Sequence, residues 1–310
     1  MTPQPPTPSP EAQAFLATLS PKRQQTQVKA IQRALEGDLH LLHLMRNLRI
    51  RDAKLPDSTP EIKVATTTLA DHPAAVYTPR HTPPKGTILY LHGGGWVIGS
   101  IYTCAQVCHQ LAAATNQRII ALDYPLAPEN PFPKPLQTIL EATRQICRQY
   151  GGRLIAAGDS AGANLALALE RHHPLDALLL YYPVTHAIAD QRPSWQHFAT
   201  IPSLDASLME TFNQAYAPLH LRQTHPDLSP LVEQPIRPPH CPVLLVAAPC
   251  DILADQGLAY ARQIKQTGAD IHYRQIPGSV HLFMTMPGQP NARRQALHIT
   301  ADFLAARTLL

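Results

Sequence analysis

From residue 62 onward, short and continuously apolar segments alternate with segments whose apolar residues recur at helical spacing. The apolar runs predict strands at 87–94, 118–124, 153–160, 176–184, 242–249 and 271–278. The segments between and after them predict helices at 102–115, 135–150, 161–172, 258–268 and 292–308. Continuous apolar strands separated by helices are typical of a parallel sheet that is covered on both faces. Segments 61–69 and 74–78 predict an antiparallel start to this sheet.

Two regions interrupt the alternation. Residues 11–50 carry apolar residues at helical spacing, and residues 186–225 stand between two predicted core strands. We expect the two regions to pack together as a cap over the carboxyl edge of the sheet, where open α/β folds bind ligands. The predicted organisation is a disordered leader (1–10), N-terminal cap helices (11–50), a core (51–185 and 226–310) and a cap insertion (186–225).

Charge and composition exclude several classes of partner. Hydrophobic residues make up 45% of the 310, and the net charge of +4 comes from scattered Lys and Arg residues. The sequence has no basic stripe of the kind that binds phosphate backbones, so nucleic-acid binding is not predicted. No apolar run approaches the roughly 20 residues of a membrane helix. The proline-rich opening MTPQPPTPSP lacks both the charged n-region and the apolar h-region of a signal peptide. We therefore expect a cytoplasmic protein without membrane contact.

The five cysteines do not predict a disulfide framework, because their number is odd and no signal peptide is evident. Cys104, Cys108 and His109 have a spacing that a helix could use for a metal. A structural zinc site needs four ligands, and no second Cys/His pair has a suitable spacing. We therefore expect free thiols and no metal.

The segment AAGDSAG places Ser160 between a predicted strand and a predicted helix, within the pattern G-x-S-x-G. A serine at such a turn is held on a strained elbow with its hydroxyl exposed, as a nucleophile requires. A Cβ at Gly158 or Gly162 would collide with a neighbouring strand or helix. The alternative is a glycine-rich turn in which the serine caps the helix.

A second glycine-rich segment, LHGGGW at 91–96, follows an earlier predicted strand. Backbone N–H groups of such a loop can approach a substrate oxygen closely. With Ser160 in place, we expect an oxyanion hole made by Gly93, Gly94 and Ala161. His92 is expected to orient the loop. The segment lacks the patterns of a P-loop or a dinucleotide-binding loop, so no phosphate site is predicted.

Chain order then selects an acid and a base, because in this arrangement serine precedes the acid and the acid precedes histidine. Asp251 directly follows a predicted strand, whereas Asp255 starts the next helix and suits its first turn. His281 lies in the loop after the last predicted strand, and His272 lies inside that strand. The predicted triad is Ser160, Asp251 and His281.

With these motifs in hand, the chain resembles the hormone-sensitive lipase group of α/β-hydrolases, and within it the bacterial acetyl esterases. The similarity covers about residues 60–305 and includes HGGG, DYPLAPENPFP, GDSAGA, SPL, DILAD and PGSVHLF, in the order typical of the family. It implies the α/β-hydrolase fold, the same triad and oxyanion donors, and a cap formed by the N-terminal helices and the insertion.

The sequence thus predicts a serine carboxylesterase that acts on small esters without a cofactor. Trp96 follows the oxyanion loop, where an indole could shorten the acyl pocket, so acetyl to butyryl esters are expected; alternatively, Trp96 packs against the cap. Two other interpretations remain: a non-catalytic ligand receptor on this fold, and a hydrolase of amides, lactones or carbamates. The oligomeric state is open, with a homodimer among the assemblies allowed.

Overall fold

A single sheet organises the protein, whose computed structural model describes residues 4–51 and 53–310. Its strands are β1 (Ile62–Leu69), β2 (His72–Pro79), β3 (Gly86–Leu91), β4 (Arg118–Leu122), β5 (Arg153–Asp159), β6 (Ala177–Tyr181), β7 (Val243–Ala247) and β8 (Ile271–Gln275). Their order in the sheet is β1-β2-β4-β3-β5-β6-β7-β8. β2 pairs antiparallel with β1 and β4, and the other pairings are parallel. This is the α/β-hydrolase fold that the sequence predicts.

Helices cover both faces of the sheet and one of its edges. Over the described residues they are α1 (Pro10–Thr18), α2 (Pro21–Leu35), α3 (His40–Ile50), α4 (Ala105–Thr115), α5 (Lys134–Tyr150), α6 (Ala161–His172), α7 (Pro193–His197), α8 (Ala206–Tyr216), α9 (Leu219–Thr224), α10 (Ala254–Gln266) and α11 (Pro290–Ala305). The central strands are buried along their whole length, because apolar clusters lie on both faces of the sheet. None of these helices is long and apolar enough to cross a membrane.

The two regions outside the alternation meet above the carboxyl ends of the parallel strands. α2 packs against α8, and the buried side-chain amide of Gln24 donates to the carbonyl of Ile201 at 3.4 Å. We use "cap" for α1–α3 together with α7–α9. An ideal Cβ on Gly95 would lie 2.1 Å from the ring of Phe212, so the cap rests directly on the glycine loop.

The expected disordered leader is only partly described, because residues 1–3 lie outside the described residues. Residues 4–9 have no regular secondary structure, but the prediction of disorder is wrong at their end. The backbone N–H of Ser9 donates to the carbonyl of Gly278 at 2.9 Å, and the Ser9 hydroxyl accepts from the N–H of Ala12. Ser9 caps α1 and anchors it to the loop that follows β8.

Candidate active site

Ser160 lies between β5 and α6 with a φ of 55° and a ψ of −119°, a conformation that non-glycine residues rarely adopt. Such strain persists only where the surroundings impose it. An ideal Cβ on Gly162 would lie 2.0 Å from the carbonyl oxygen of Leu91, and one on Gly158 would lie 2.4 Å from the backbone of Gly162. The glycines therefore let β5, α6 and β3 approach closely enough to hold the serine on its elbow.

The three residues predicted as a triad come together although they follow three different strands. The Nε2 of His281 lies 3.1 Å from the Oγ of Ser160, and its Nδ1 lies 2.5 Å from the Oδ2 of Asp251. All three side chains are buried, at 5% exposure or less. They form a continuous hydrogen-bonded chain from a hydroxyl, through an imidazole, to a carboxylate.

Asp255, the competing carboxylate, serves the cap. Its Oδ2 accepts from the backbone N–H of Ser194 at 2.8 Å, and its own N–H donates to the Ser194 hydroxyl at 3.1 Å. These reciprocal bonds join the start of α10 to the start of α7. His272 lies in β8 and contacts the ring of Phe303.

Hydrogen bonds to its backbone also hold the loop that carries His281, and sequence reasoning missed them. The side-chain amide of Gln289, which is 2% exposed, accepts from the N–H of Val280 at 3.0 Å and donates to its carbonyl at 3.3 Å. The N–H of Cys250 donates to the carbonyl of Ser279 at 3.1 Å, which ties the loop to the segment of Asp251. No motif at Gln289 signals this role, because it depends on a loop folding back on itself.

The predicted oxyanion donors need one correction. The N–H of Gly93 already donates to the Oδ1 of Asp159 at 3.0 Å, so it is not free to donate to an oxyanion. The N–H groups of Gly94, Gly95 and Ala161 form no hydrogen bond to any described residue. Gly94 and Gly95 have φ values of 122° and 60°, which turn the loop over the cavity beside Ser160. Gly95 therefore replaces Gly93 as the geometric candidate.

A small polar network supports the glycine loop from below. The Oδ1 of Asp159 also accepts from the Tyr90 hydroxyl at 2.9 Å, and burial raises the pKa of this carboxyl above its usual value. The Nδ1–H of His92 donates to the carbonyl of Gly93, and its ring stacks on Tyr124. Burial lowers the pKa of His92 to about 4, so the ring is neutral and orients the loop.

Trp96 is not where the acyl-pocket prediction places it. The indole is 0% exposed and stacks on Tyr216 of α8, with ring centroids 4.5 Å apart and planes 6° from parallel. It does not line the cavity. The alternative, in which Trp96 packs against the cap, describes the structure. The large ring is buried between the loop and α8, and its Nε1–H has no hydrogen-bond partner among the described residues.

A cavity of about 290 Å³ opens onto the elbow. Cap residues form its apolar wall, and glycine-loop and triad residues form its floor; these are Leu204, Leu208, Met209 and Phe212, with Gly94, Gly95, Ser160 and His281. No group of three His, Cys, Asp or Glu side chains among residues 4–51 and 53–310 is arranged to hold a metal. Cys104 and Cys108 are buried free thiols.

Comparisons with known proteins identify the family of this chain. Residues 88–285 match a family model described as "alpha/beta hydrolase fold". The chain is 35% identical over 247 residues to an ethyl acetate hydrolase of Pseudomonas putida, which covers 74% of this chain and 77% of the relative. It is 30% identical over 265 residues to the carboxylesterase NlhH of Mycobacterium tuberculosis, covering 75% and 79%. The chain belongs to the hormone-sensitive-lipase-like family of α/β-hydrolases.

Solved structures show the same fold over nearly the whole chain. A thermostable esterase from Pseudomonas putida ECU1011 matches with a TM-score of 0.77 at 23% identity and covers 98% of both chains. A Pyrobaculum calidifontis esterase matches with a TM-score of 0.75 at 25% identity, over 94% of this chain and 100% of the other. The predicted family, fold and enzyme class, a carboxylic ester hydrolase, are confirmed.

Proposed function

We propose that this ester hydrolase is a serine carboxylesterase of short-chain acyl esters, acetyl to butyryl, with Ser160, His281 and Asp251 as its triad. The observation that carries the proposal is the hydrogen-bonded chain from Ser160 Oγ to Asp251 Oδ2. This constellation is the one that activates a serine for acyl transfer.

In the proposed mechanism, the Ser160 Oγ attacks the ester carbonyl carbon while its proton passes to the Nε2 of His281. Asp251 accepts the hydrogen bond of Nδ1–H and stabilises the imidazolium that forms. The carbonyl π electrons move to oxygen, and the N–H groups of Gly94, Gly95 and Ala161 stabilise the oxyanion. Collapse breaks the bond to the alkoxy oxygen, which takes the proton from His281.

Water then deacylates the enzyme through the same base. The proton of the water moves to His281 as its oxygen attacks the acyl carbon, and collapse returns a proton to Ser160. Helix α6 also helps to stabilise the oxyanion, because Ser160 and Ala161 lie at its N-terminus, where the helix dipole favours negative charge. Every proton in the proposed mechanism is accepted or donated through His281, and no cofactor enters the proposal.

The size of the cavity supports the preference for short acyl chains. About 290 Å³ is at the lower end of the range for small-molecule sites, roughly 300–1,000 Å³. Leu208, Met209 and Phe212 of α8 close it from the cap side, which is the role predicted for Trp96. A long acyl chain would have to displace this helix.

Two measurements test the proposal. The Ser160→Ala variant is expected to lose hydrolysis of p-nitrophenyl acetate, and wild-type rates in that variant would refute the nucleophile. The kcat/KM values for C2, C4 and C12 p-nitrophenyl esters should be highest at C2 or C4, and a maximum at C12 would refute the chain-length preference. The cap boundaries, a cytoplasmic location and a homodimer stay predictions, the last of which gel filtration checks.

A further inference from the structure

Two arginines of the cap line the cavity that holds Ser160 and His281. Arg23 comes from α2 and Arg49 comes from the last turn of α3. Both also line a second cleft, which lies between α2 and α3 and meets the first cavity at Arg23, Gln27, Arg49 and Ile98. The two guanidinium groups therefore stand at the junction between the outer cleft and the reaction site.

The Nε of Arg49 lacks the kind of hydrogen bond that holds the neighbouring Arg46 in place. Its Nε is buried and has no hydrogen-bond partner within residues 4–51 and 53–310. Arg46, one turn earlier on the same helix, has its Nε bonded to the carbonyl of Val97 and its Nη atoms bonded to Ala127 and Glu129. A buried guanidinium N–H without an acceptor costs free energy unless a ligand supplies one.

The two guanidinium groups also repel each other electrostatically. Burial and, after it, the positive charge of Arg23 lower the pKa of Arg49 to about 10, while the negative charge of Asp159 acts in the opposite direction. Burial likewise lowers the pKa of Arg23. Like charges in a partly desolvated cavity are unfavourable, and an anion between them removes the cost.

Carboxylates that could neutralise this pair are absent from the described lining, apart from Asp159. That residue lies in the floor, and its charge partly offsets the effect of Arg23 on Arg49. Its Oδ1 already accepts from the Tyr90 hydroxyl and the Gly93 N–H, and within the described residues it forms no hydrogen bond to Arg49. The outer cleft adds the positive charge of Lys22 and, among its described lining residues, no acid. The entrance and one side of the cavity thus carry positive charge, and Leu204, Leu208, Met209 and Phe212 form an apolar wall.

We propose that Arg49 and Arg23 form an anion subsite, and that the preferred substrate is an ester that also carries a carboxylate. The inference rests on the proposed function, because it assigns a substrate class to the same site. Guanidinium groups bind carboxylates through charge-assisted and often bidentate hydrogen bonds. A neutral ester of the same size leaves the Nε of Arg49 unpaired, which is how a site discriminates against the uncharged analogue.

Two substrate pairs test the subsite, with the carboxylate on the acyl side in one and on the alcohol side in the other. The first compares monoethyl succinate with diethyl succinate, and the second compares acetoxyacetate with ethyl acetate. We expect kcat/KM to favour the anionic member of at least one pair by about tenfold or more at low ionic strength, with the preference falling as salt is added. A neutral preference in both pairs would overturn the inference.

Charge-removing variants locate the effect. Arg49→Gln is expected to reduce the anionic-to-neutral ratio of kcat/KM about tenfold, and Arg23→Gln to reduce it several-fold. Lys29→Gln is the matched control, because Lys29 is an exposed residue of α2 that does not line the cavity. A ratio that falls equally in Lys29→Gln would show a general field effect and refute the subsite.

A binding measurement separates this inference from the proposed function. Calorimetry with succinate on the Ser160→Ala protein needs no turnover, and binding should weaken about tenfold or more when Arg49→Gln is added. If neutral esters are hydrolysed but the anion shows neither preference nor binding, the subsite is refuted and the esterase proposal stands. If succinate binds through Arg49 while no ester is hydrolysed, the serine mechanism fails and the anion site stands.

Discussion

The Oδ1 of Asp159 accepts a hydrogen bond from the backbone N–H of Gly93 at 3.0 Å. The residue beside the nucleophile thereby holds the glycine loop that lies opposite it. An ideal Cβ on Gly93 would lie 2.3 Å from the Oδ2 of Asp159, so the contact is as close as a glycine permits. This carboxylate joins the elbow directly to the loop, in addition to the close approach of Gly162 to Leu91.

Removing the carboxylate should therefore disturb the loop more than the nucleophile. In Asp159→Ala we expect kcat for p-nitrophenyl acetate to fall roughly 10- to 100-fold, because a misplaced oxyanion donor typically costs that much or more. The Tyr90→Phe variant loses the other hydrogen bond to Oδ1 but keeps the carboxylate, so its kcat should fall by less than tenfold. Equal losses in the two variants would contradict a specific role for the Gly93 contact.

The two neighbouring carboxylates of DILAD should respond differently to the same change. Asp251→Asn is expected to lower kcat by a factor on the order of 10³–10⁴, because the amide favours the wrong imidazole tautomer. Asp255→Asn should stay within a few-fold of the parent, since the amide oxygen can still accept from Ser194. Steady-state kinetics of the pair checks the assignment, and a larger loss in Asp255→Asn would reverse it.

The N-terminal helix should support the loop that carries His281. Phe15 of α1 is 3% exposed, packs near Val280 and Cys250, and lies 2.5 Å from where a Cβ on Gly288 would stand. Phe15→Ala is expected to lower the free energy of unfolding by about 3 kcal/mol and to reduce kcat several-fold.

Urea denaturation and kinetics measure both effects of this substitution. Leu44→Ala is a suitable control, because Leu44 on α3 is 45% exposed and its truncation should change neither quantity appreciably. If Phe15→Ala destabilises the protein but leaves kcat at the parent value well below the unfolding transition, α1 contributes stability and does not position His281.

Asp123 should make stability fall as pH rises through mildly acidic values. Its Oδ1 accepts from the N–H of Ile101 at 2.5 Å, but burial raises the pKa of this carboxyl to about 6. In the unfolded chain the pKa is about 3.9. Between these values the folded state binds more protons, so raising the pH from 4 to 7 destabilises the parent at this site.

An asparagine at this position does not titrate and still offers an oxygen to Ile101. The free energy of unfolding of Asp123→Asn, relative to the parent, should therefore rise by about 2 kcal/mol from pH 4 to pH 7, after allowance for partial exposure. Above pH 7 the difference should be constant. Urea titrations of both proteins at pH 4, 5.5, 7 and 8 measure this, and a difference that is flat across the range would contradict it.

Local patterns were sufficient for the elements and the order of the site. Strand β5 and helix α6 follow from an apolar run and helical spacing around GDSAG, and the strand at 118–124 ends within two residues of its prediction. Periodicity reports which face of an element is buried, and the parallel topology follows from the alternation. Motif order then selected Ser160, Asp251 and His281, and the structure places their side chains in hydrogen-bonding distance.

Tertiary structure alone decided what lies beside these elements. Whether the N–H of Gly93 or that of Gly95 is free to donate depends on where Asp159 from another strand points. Whether Trp96 lines a pocket depends on Tyr216, 120 positions later in the chain. Arg23 and Arg49 look like ordinary helix-surface charges in the sequence, and only the folding of the cap turns them toward Ser160. Residues distant in the chain meet through packing and long-range hydrogen bonds, which no local spacing encodes.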